Sequence, residues 1–371
     1  MNAIREKWIK TKLERLKELE SYQVAESTEI IACRLGIPSE NIFKLNFNEN
    51  LFIHRQKLLK LMNEVAEQCD PRIYPQEEER RLREKISEYL QVPKQNITIG
   101  NASDELIDRI TRLFLEKGEN VVSVAPTFPI FAQCAKRQGA GFIAVPLQDN
   151  FKLDTAALLE KFSSQTSLLY LCSPNNPTGN QFKLPEVETL IREFTGIVIL
   201  DEAYAEFADY TMVSRINEFE NLIVLRTFSK AFGLAALRLG YAVSNRSLAK
   251  ALSEKTTLPF PVSAFTLRMG TKILENIELM ETAARELKIE RKKLIKRLDQ
   301  ITGVQAFDSQ ANFVLFNVDD PAGQLCQTLL KRGLFIKKIG KILRWDNCFR
   351  STVGLPHMND SLLSTLKEII E

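Results

Sequence analysis

Five apolar runs constrain what this chain can fold into: NITI (96–99), VVSV (121–124), SLLYLC (167–172), IVIL (197–200) and LIVL (222–225). IVIL and LIVL do not alternate apolar with polar positions. Strands of that kind are buried on both faces, and a largely parallel sheet covered by helices is what buries them. Residues 141–145 read as a further strand. The segments between have helical spacing: 105–115, 128–138, 155–162 and 184–194. This alternation predicts an α/β fold.

The flanks read differently. Residues 43–47 are a short strand candidate and residues 76–90 a charged amphipathic helix. After Leu258-Pro259-Phe260-Pro261, residues 262–298 read as one long helix or a bent pair. The tail mixes strand-like runs (312–316, 335–338, 348–353) with helices at 323–332 and 360–370, which predicts a smaller α+β region. Residues 1–20 place Trp8, Leu13, Leu16 and Leu19 on one sparse stripe, and so predict a surface helix lying on the chain's own body.

Composition excludes several functions. Lys+Arg 50 against Asp+Glu 47 leaves +3, and no basic cluster stands free of glutamates, so nucleic acid is not an expected partner. Two histidines make a histidine-rich metal site or a histidine-dependent triad unexpected, and no metal is assigned. Six cysteines without CxxC spacing read as reduced thiols of a cytoplasmic protein. The opening residues are too charged for a signal peptide. No apolar run approaches the roughly 18 residues of a membrane span.

Four segments follow predicted strand ends, the edge of an open α/β sheet where ligands bind. Residues 100–104, GNASD, let backbone N–H groups approach an anion at a helix start, and Ser103 adds a hydroxyl. Residues 173–179, SPNNPTG, fix an irregular loop bearing Asn175 and Asn176. Asp201 ends a buried strand, where a carboxylate is costly unless it meets a cation or caps a helix. In RTFSKAFGLAALRLG (226–240), Ser229 and Arg238 can reach a phosphate, and Lys230 between them is the candidate nucleophile and base. A lysine buried beside a bound cofactor titrates toward ~7–8 instead of ~10.4.

SPNNPTG, DEAY (201–204) and Ser229-Lys230 with Arg238 eight positions on resemble, in order and spacing, the fold-type I pyridoxal 5′-phosphate (PLP) aminotransferases of the aspartate-aminotransferase superfamily. Within it the resemblance is to the histidinol-phosphate aminotransferase family, through LKELESYQV, KLNFNEN, IYPQEEERRLREKISEYL, GNASDEL, APTFPIF, RTFSKAFGLAALRLGY, ANFVLF and CFRSTVG. These cover nearly the whole chain.

The resemblance implies a large PLP-binding domain, 55–275, with a mostly parallel seven-stranded sheet flanked by helices. A smaller α+β domain would come from 1–54 plus 276–371, with an N-terminal helical arm. It implies a cytoplasmic homodimer that moves the amino group of histidinol phosphate to 2-oxoglutarate. Lys230 would hold PLP as a Schiff base and move the proton, and Asp201 would pair with the pyridine nitrogen. Tyr204 and Asn176 would bond the phenolic oxygen. Ala102, Ser103, Asp104, Ser229 and Arg238 would cradle the phosphate, joined by Tyr74 from the other subunit. Phe128 would stack on the ring where the family often has tyrosine. Tyr22, Asn50, Asn312, Lys337 and Arg350 would face the substrate.

The chain departs from the family pattern in places. Asn50 is followed by Leu51-Phe52-Ile53-His54 instead of a proline and a Gly-Pro-Ser-Pro-like turn. Lys337 and Lys338 stand where the family has an arginine, keeping charge but losing the bidentate fork. Ser21 replaces the usual proline before Tyr22, and CFRSTVGLPHMND differs from the common RITVGT ending. Two other PLP reactions stay open on this scaffold: threonine-phosphate decarboxylation, and transamination of aromatic or other amino acids. A non-enzymatic PLP-fold regulator would need an added DNA-binding module, which residues 1–40 do not resemble.

Overall fold

The computed structural model describes residues 2–17, 26–319 and 325–370. A short strand, β1 (Phe43–Lys44), precedes the main sheet. Seven strands then follow in chain order: β2 (Ile97–Gly100), β3 (Asn120–Ala125), β4 (Gly141–Pro146), β5 (Thr166–Cys172), β6 (Ile197–Asp201), β7 (Leu222–Thr227) and β8 (Gly240–Ser244). They form one sheet in the order β2-β8-β7-β6-β5-β3-β4. Only β8 runs against its neighbours; every other pairing is parallel.

The unbroken apolar runs have the expected cause. Along β6, Val198 and Leu200 enter one hydrophobic core while Ile199 enters another on the opposite face. β5 divides the same way, with Leu169 and Leu171 on one side and Leu168 and Tyr170 on the other. Successive side chains of a strand point to opposite faces, so a sheet with two cores needs apolar residues at every position. Full burial of each such side chain contributes about 1.5–3 kcal/mol.

Strand register also explains why distant segments meet. Cys172 pairs with Asp201, and Asp201 with Leu225, so β5, β6 and β7 finish at one edge. Gly240 pairs with both Gly100 and Thr227, which brings the end of β2 to that edge too. A Cβ on Gly240 would stand 2.6 Å from backbone atoms of Ala102 and Ser103, so this close approach requires glycine.

Beyond β8 the chain builds a second sheet from β9 (Val304–Ala306), β10 (Phe313–Val318), β12 (Lys337–Ile342) and β13 (Trp345–Thr352), all antiparallel, in the order β12-β13-β10-β9. β11 (Leu334–Phe335) pairs with β1 in a separate two-stranded sheet, and the Thr352 N–H of β13 donates to the Leu45 carbonyl just after β1. The expected long helix is a bent pair, Ala264–Leu274 and Glu278–Leu298, and Ser263 caps the first by accepting from the Thr266 N–H.

Several expectations are corrected. The helix at Asn2–Leu16 leaves Trp8, Ile9 and Leu13 exposed, so these residues do not lie on the chain's own body as expected, and Leu19 lies outside the described residues. Its apolar residues are too sparse among lysines and glutamates to form a burying face. The helix expected from residue 105 begins at Ala102, which moves Ala102–Asp104 from a turn into its first turn. Helices Thr28–Leu35, Arg55–Glu67 and Arg246–Lys255 and strand β8 have no counterpart in the sequence expectations. Among the described residues, no helix is long and apolar enough to cross a membrane.

One buried ion cluster braces the edge from below. Arg226 near the end of β7 is almost fully buried, with Nη1 3.2 Å from Glu202 Oε2 and Nη2 2.6 Å from Glu206 Oε1. Glu202 also accepts from the Thr211 hydroxyl and the Met212 N–H. Arg226→Met should destabilise the protein by about 3–5 kcal/mol, because two carboxylates lose their buried cation. Urea denaturation measures this, and a loss under about 1 kcal/mol would mean the cluster is effectively solvated.

Candidate active site at the carboxyl edge of the sheet

Lys230 lies in a loop held at both ends. The Ser229 N–H donates to Thr227 Oγ1, the Phe228 N–H to the Leu239 carbonyl, and the Gly233 N–H to the Lys230 carbonyl. Gly233 takes φ +67, which a residue with a side chain rarely adopts. Lys230 Nζ donates to the Phe47 carbonyl at 2.9 Å and stands 5.9 Å from the centre of the Tyr204 ring. Desolvation, helped by the Arg350 guanidinium, brings its amine down from 10.5 to about 8. A large share of it is therefore neutral and nucleophilic near pH 8.

Asp201 ends β6 and is 3% exposed. Oδ2 accepts from the Tyr170 hydroxyl at 2.9 Å and Oδ1 from the Ala203 N–H at 3.1 Å. Burial pushes this carboxyl up to about 6, against the pull of those two bonds. Tyr170 is itself fully buried and stacked on Phe131, with ring centroids 4.4 Å apart. Tyr204, three residues after Asp201, accepts at its hydroxyl from Asn48 Nδ2 at 3.0 Å, and burial raises its pKa.

The SPNNPTG loop divides its two amides. Asn175 is fully buried and structural: its Oδ1 accepts from Thr127 Oγ1, and its Nδ2 donates to the Pro126 carbonyl and Thr178 Oγ1. Asn176 turns to the site, where its Oδ1 accepts from Arg350 Nη1 at 2.5 Å. Arg350, on β13, also donates from Nη2 to the Asn46 carbonyl at 2.7 Å and lies 5.2 Å from the Phe313 ring centre. Lys337 is directly opposite Arg350 in the β12–β13 register, so two cations stand side by side on one face of the small sheet.

The anion cradle lies at the start of the Ala102–Phe114 helix. Ala102 takes φ +67 there, an unusual backbone for a residue with a side chain. Arg238 Nη2 meets Asp104 Oδ2 at 3.0 Å, and its Nη1 reaches Ser229 Oγ at 3.4 Å. A guanidinium, a hydroxyl and a helix N-terminus thus gather at one point, the combination that binds phosphate. Arg109 holds this helix from beneath: fully buried, it donates to the carbonyls of Ile99 and Leu252.

The remaining candidates differ. Phe128 is half-buried against the second core cluster. Asn312 Nδ2 donates to the Asn48 carbonyl, and Asn50 Nδ2 to the Ala231 carbonyl. Tyr74 is 72% exposed and stacks on Phe260 with ring centroids 4.7 Å apart, in a patch with exposed Ile73 and Leu258. A cavity of about 380 Å³ beside this patch is lined by Pro75, Leu258 and Phe260 and by none of the residues around Lys230. Tyr22 lies outside the described residues.

Sequence reading missed Tyr170 and the bond from Asn48 to Tyr204. Tyr170 looks like one more apolar residue of SLLYLC, and only the pairing of β5 with β6 brings its hydroxyl to Asp201.

These groups fit PLP. Among the described residues, Asp201 is a buried carboxylate with no cation among its hydrogen-bond partners, and a protonated pyridine nitrogen would supply one. The cradle suits the cofactor phosphate, and Lys230 provides the amine.

The aminotransferase class I and II family matches residues 40–369. Histidinol-phosphate aminotransferase of Thermoanaerobacter sp. (strain X514) is 37% identical over 331 residues, 88% of this chain and 93% of that protein. The crystal structure of histidinol-phosphate aminotransferase from Sinorhizobium meliloti, in complex with pyridoxal-5′-phosphate, superposes with TM-score 0.83 at 25% identity, covering 94% of this chain and 95% of that one. L-threonine-O-3-phosphate decarboxylase of Porphyromonas gingivalis shares the fold, with TM-score 0.73 at 20% identity, 89% of this chain and 97% of that one.

Proposed function

The chain belongs to the aminotransferase class I and II family, and from that premise we propose that it is a PLP-dependent aminotransferase acting on histidinol phosphate in histidine biosynthesis. The amino group passes to 2-oxoglutarate, giving imidazole-acetol phosphate and glutamate in a ping-pong cycle. One observation carries the reading: a desolvated amine and a buried carboxylate without a cation stand at the same sheet edge as a phosphate cradle. The relatives named histidinol-phosphate aminotransferase support the substrate.

When bound, the pyridine ring supplies an electron sink for charge developing at the carbon that bears the amino group. Asp201 would hold the positive charge on the ring nitrogen. Lys230, an amine near 8, would act as base at that carbon and as acid at the cofactor carbon on the far side of the amino nitrogen. Tyr204 and Asn176 would bond the phenolic oxygen. Ser229, Arg238 and the backbone of Ala102–Asp104 would hold the phosphate, and Phe128 would pack against the ring. Arg350 and Lys337 attract the anionic end of the substrate.

We assign residues 55–275 to the cofactor domain and 1–54 plus 276–371 to the smaller one; the separate sheets at 97–244 and 304–352 support the division. A homodimer is part of the same reading. Tyr74 would serve the partner's phosphate, and the exposed apolar patch of Ile73, Leu258 and Phe260 would be covered. The compartment proposed is the cytoplasm.

The test is a panel of amino donors with 2-oxoglutarate, scoring glutamate and carbon dioxide. Histidinol phosphate should give the highest kcat/KM, with glutamate formed and no carbon dioxide. Carbon dioxide from a phosphorylated amino acid, without glutamate, would overturn the reading in favour of a decarboxylase.

A further inference from the structure

The Asn46–Asn50 segment crosses the site as a strap between the two sheets. Its carbonyls hold site residues in succession: Asn46 accepts from Arg350 at 2.7 Å, Phe47 from Lys230 at 2.9 Å, and Asn48 from Asn312 at 2.8 Å. Asn48 takes φ +57, and its N–H donates to Thr352 Oγ1. Asn50 closes the strap, with Nδ2 2.7 Å from the carbonyl of Ala231, the residue after Lys230, and Oδ1 accepting from the Phe52 N–H.

Arg350 holds the carbonyl just before that of Phe47, and two buried amides anchor the strap just after it. Asn312 anchors the strap one residue after it, and Asn50 anchors it three residues after it and directly beside Lys230. Both amides are buried, Asn312 completely and Asn50 to 6% exposure. Both ends of the Asn50 amide bond the chain itself, its Nδ2 to Ala231 and its Oδ1 to the Phe52 N–H.

We propose that Asn50 and Asn312 are positioning residues for Lys230, acting through the strap that carries the Phe47 carbonyl. The proposal rests on the PLP reading above. The strap holds the amine at one place before the cofactor arrives. Capture of the PLP aldehyde by Lys230 forms one C=N bond. The neutral amine gives up both of its hydrogens, and the aldehyde oxygen leaves with them as water.

Two ligands separate positioning from folding. PLP carries the aldehyde that Lys230 captures, whereas pyridoxamine 5′-phosphate carries an amine in its place and reads non-covalent binding of the ring and phosphate alone. With cofactor-free protein at pH 8, Asn50→Ala and Asn312→Ala should each slow covalent PLP capture, followed by absorbance, at least about tenfold, while the pyridoxamine 5′-phosphate Kd stays within about twofold of wild type. An unchanged capture rate overturns the proposal. So does an equal loss of both ligands, which would make the two amides structural only. Were the wild-type chain to bind neither ligand, the PLP reading itself would fall and the proposal with it.

Discussion

Lys230→Ala is expected to lower turnover at least about 10⁴-fold, because one side chain serves as both the covalent attachment point and the base. The cofactor absorbance that depends on covalent attachment should vanish with it. Phosphate-dependent binding should survive, since Ser229, Arg238 and the helix start at Ala102 do not involve the lysine amine. The wild-type chain also makes a pH prediction. The amine sits near 8 because desolvation and Arg350 disfavour its charged form. Covalent capture of PLP by cofactor-free protein should therefore rise about tenfold per pH unit below 8 and level off above it. A variant that keeps both the absorbance and turnover would remove Lys230 from the centre of the site. A capture rate still rising steeply at pH 10 would show that the amine is not desolvated.

Much of this site is legible in the sequence because its chemistry sits where strands end. Lys230, Asp201 and Asn176 each stand out as polar groups just after or at the end of an unbroken apolar run. A parallel sheet delivers all such ends to one edge, so the meeting of these segments follows from the strand pattern. What the sequence hides is cross-chain partnership. Asn48 lies 156 positions from Tyr204, and no local spacing predicts that its amide meets that hydroxyl. Lys337 and Arg350 stand opposite one another only because β12 and β13 pair in a given register, with irregularities just beyond. β8 escapes a hydropathy reading because GYAVS is short and bounded by glycine and serine, although it supplies the one antiparallel partner between β2 and β7. The helix start at Ala102 is missed for a different reason. GNASD has the composition of a turn, and the positive φ at Ala102 lets the helix begin inside it.

Asp201→Asn should make the cofactor-free protein more stable and the enzyme much slower. The carboxyl of Asp201 rises from 3.8 to about 6 in the folded chain, chiefly through burial. A raised carboxyl pKa means that the folded state holds the proton more tightly than the unfolded state does. Its contribution to stability is therefore full below about pH 4 and is lost as pH climbs through about 6. At pH 8 the cofactor-free wild type carries the whole penalty, about 3 kcal/mol for a shift of this size. Asparagine carries no charge, and its carbonyl oxygen can still accept from the Ala203 N–H. The variant should thus gain up to about 3 kcal/mol over wild type at pH 8 and little near pH 4. Turnover should fall by about 10³-fold, because the fixed anion opposite the ring nitrogen is gone. Added PLP should then stabilise wild type more than the variant, since the ring nitrogen supplies the cation that Asp201 lacks. Denaturation with and without PLP at both pH values, alongside kcat, measures every part of this. A cofactor-free variant less stable than wild type at pH 8 would mean that the bonds from Tyr170 and Ala203 outweigh the burial of the charge. The carboxylate would then be held by the protein alone, with no need of a partner on the cofactor.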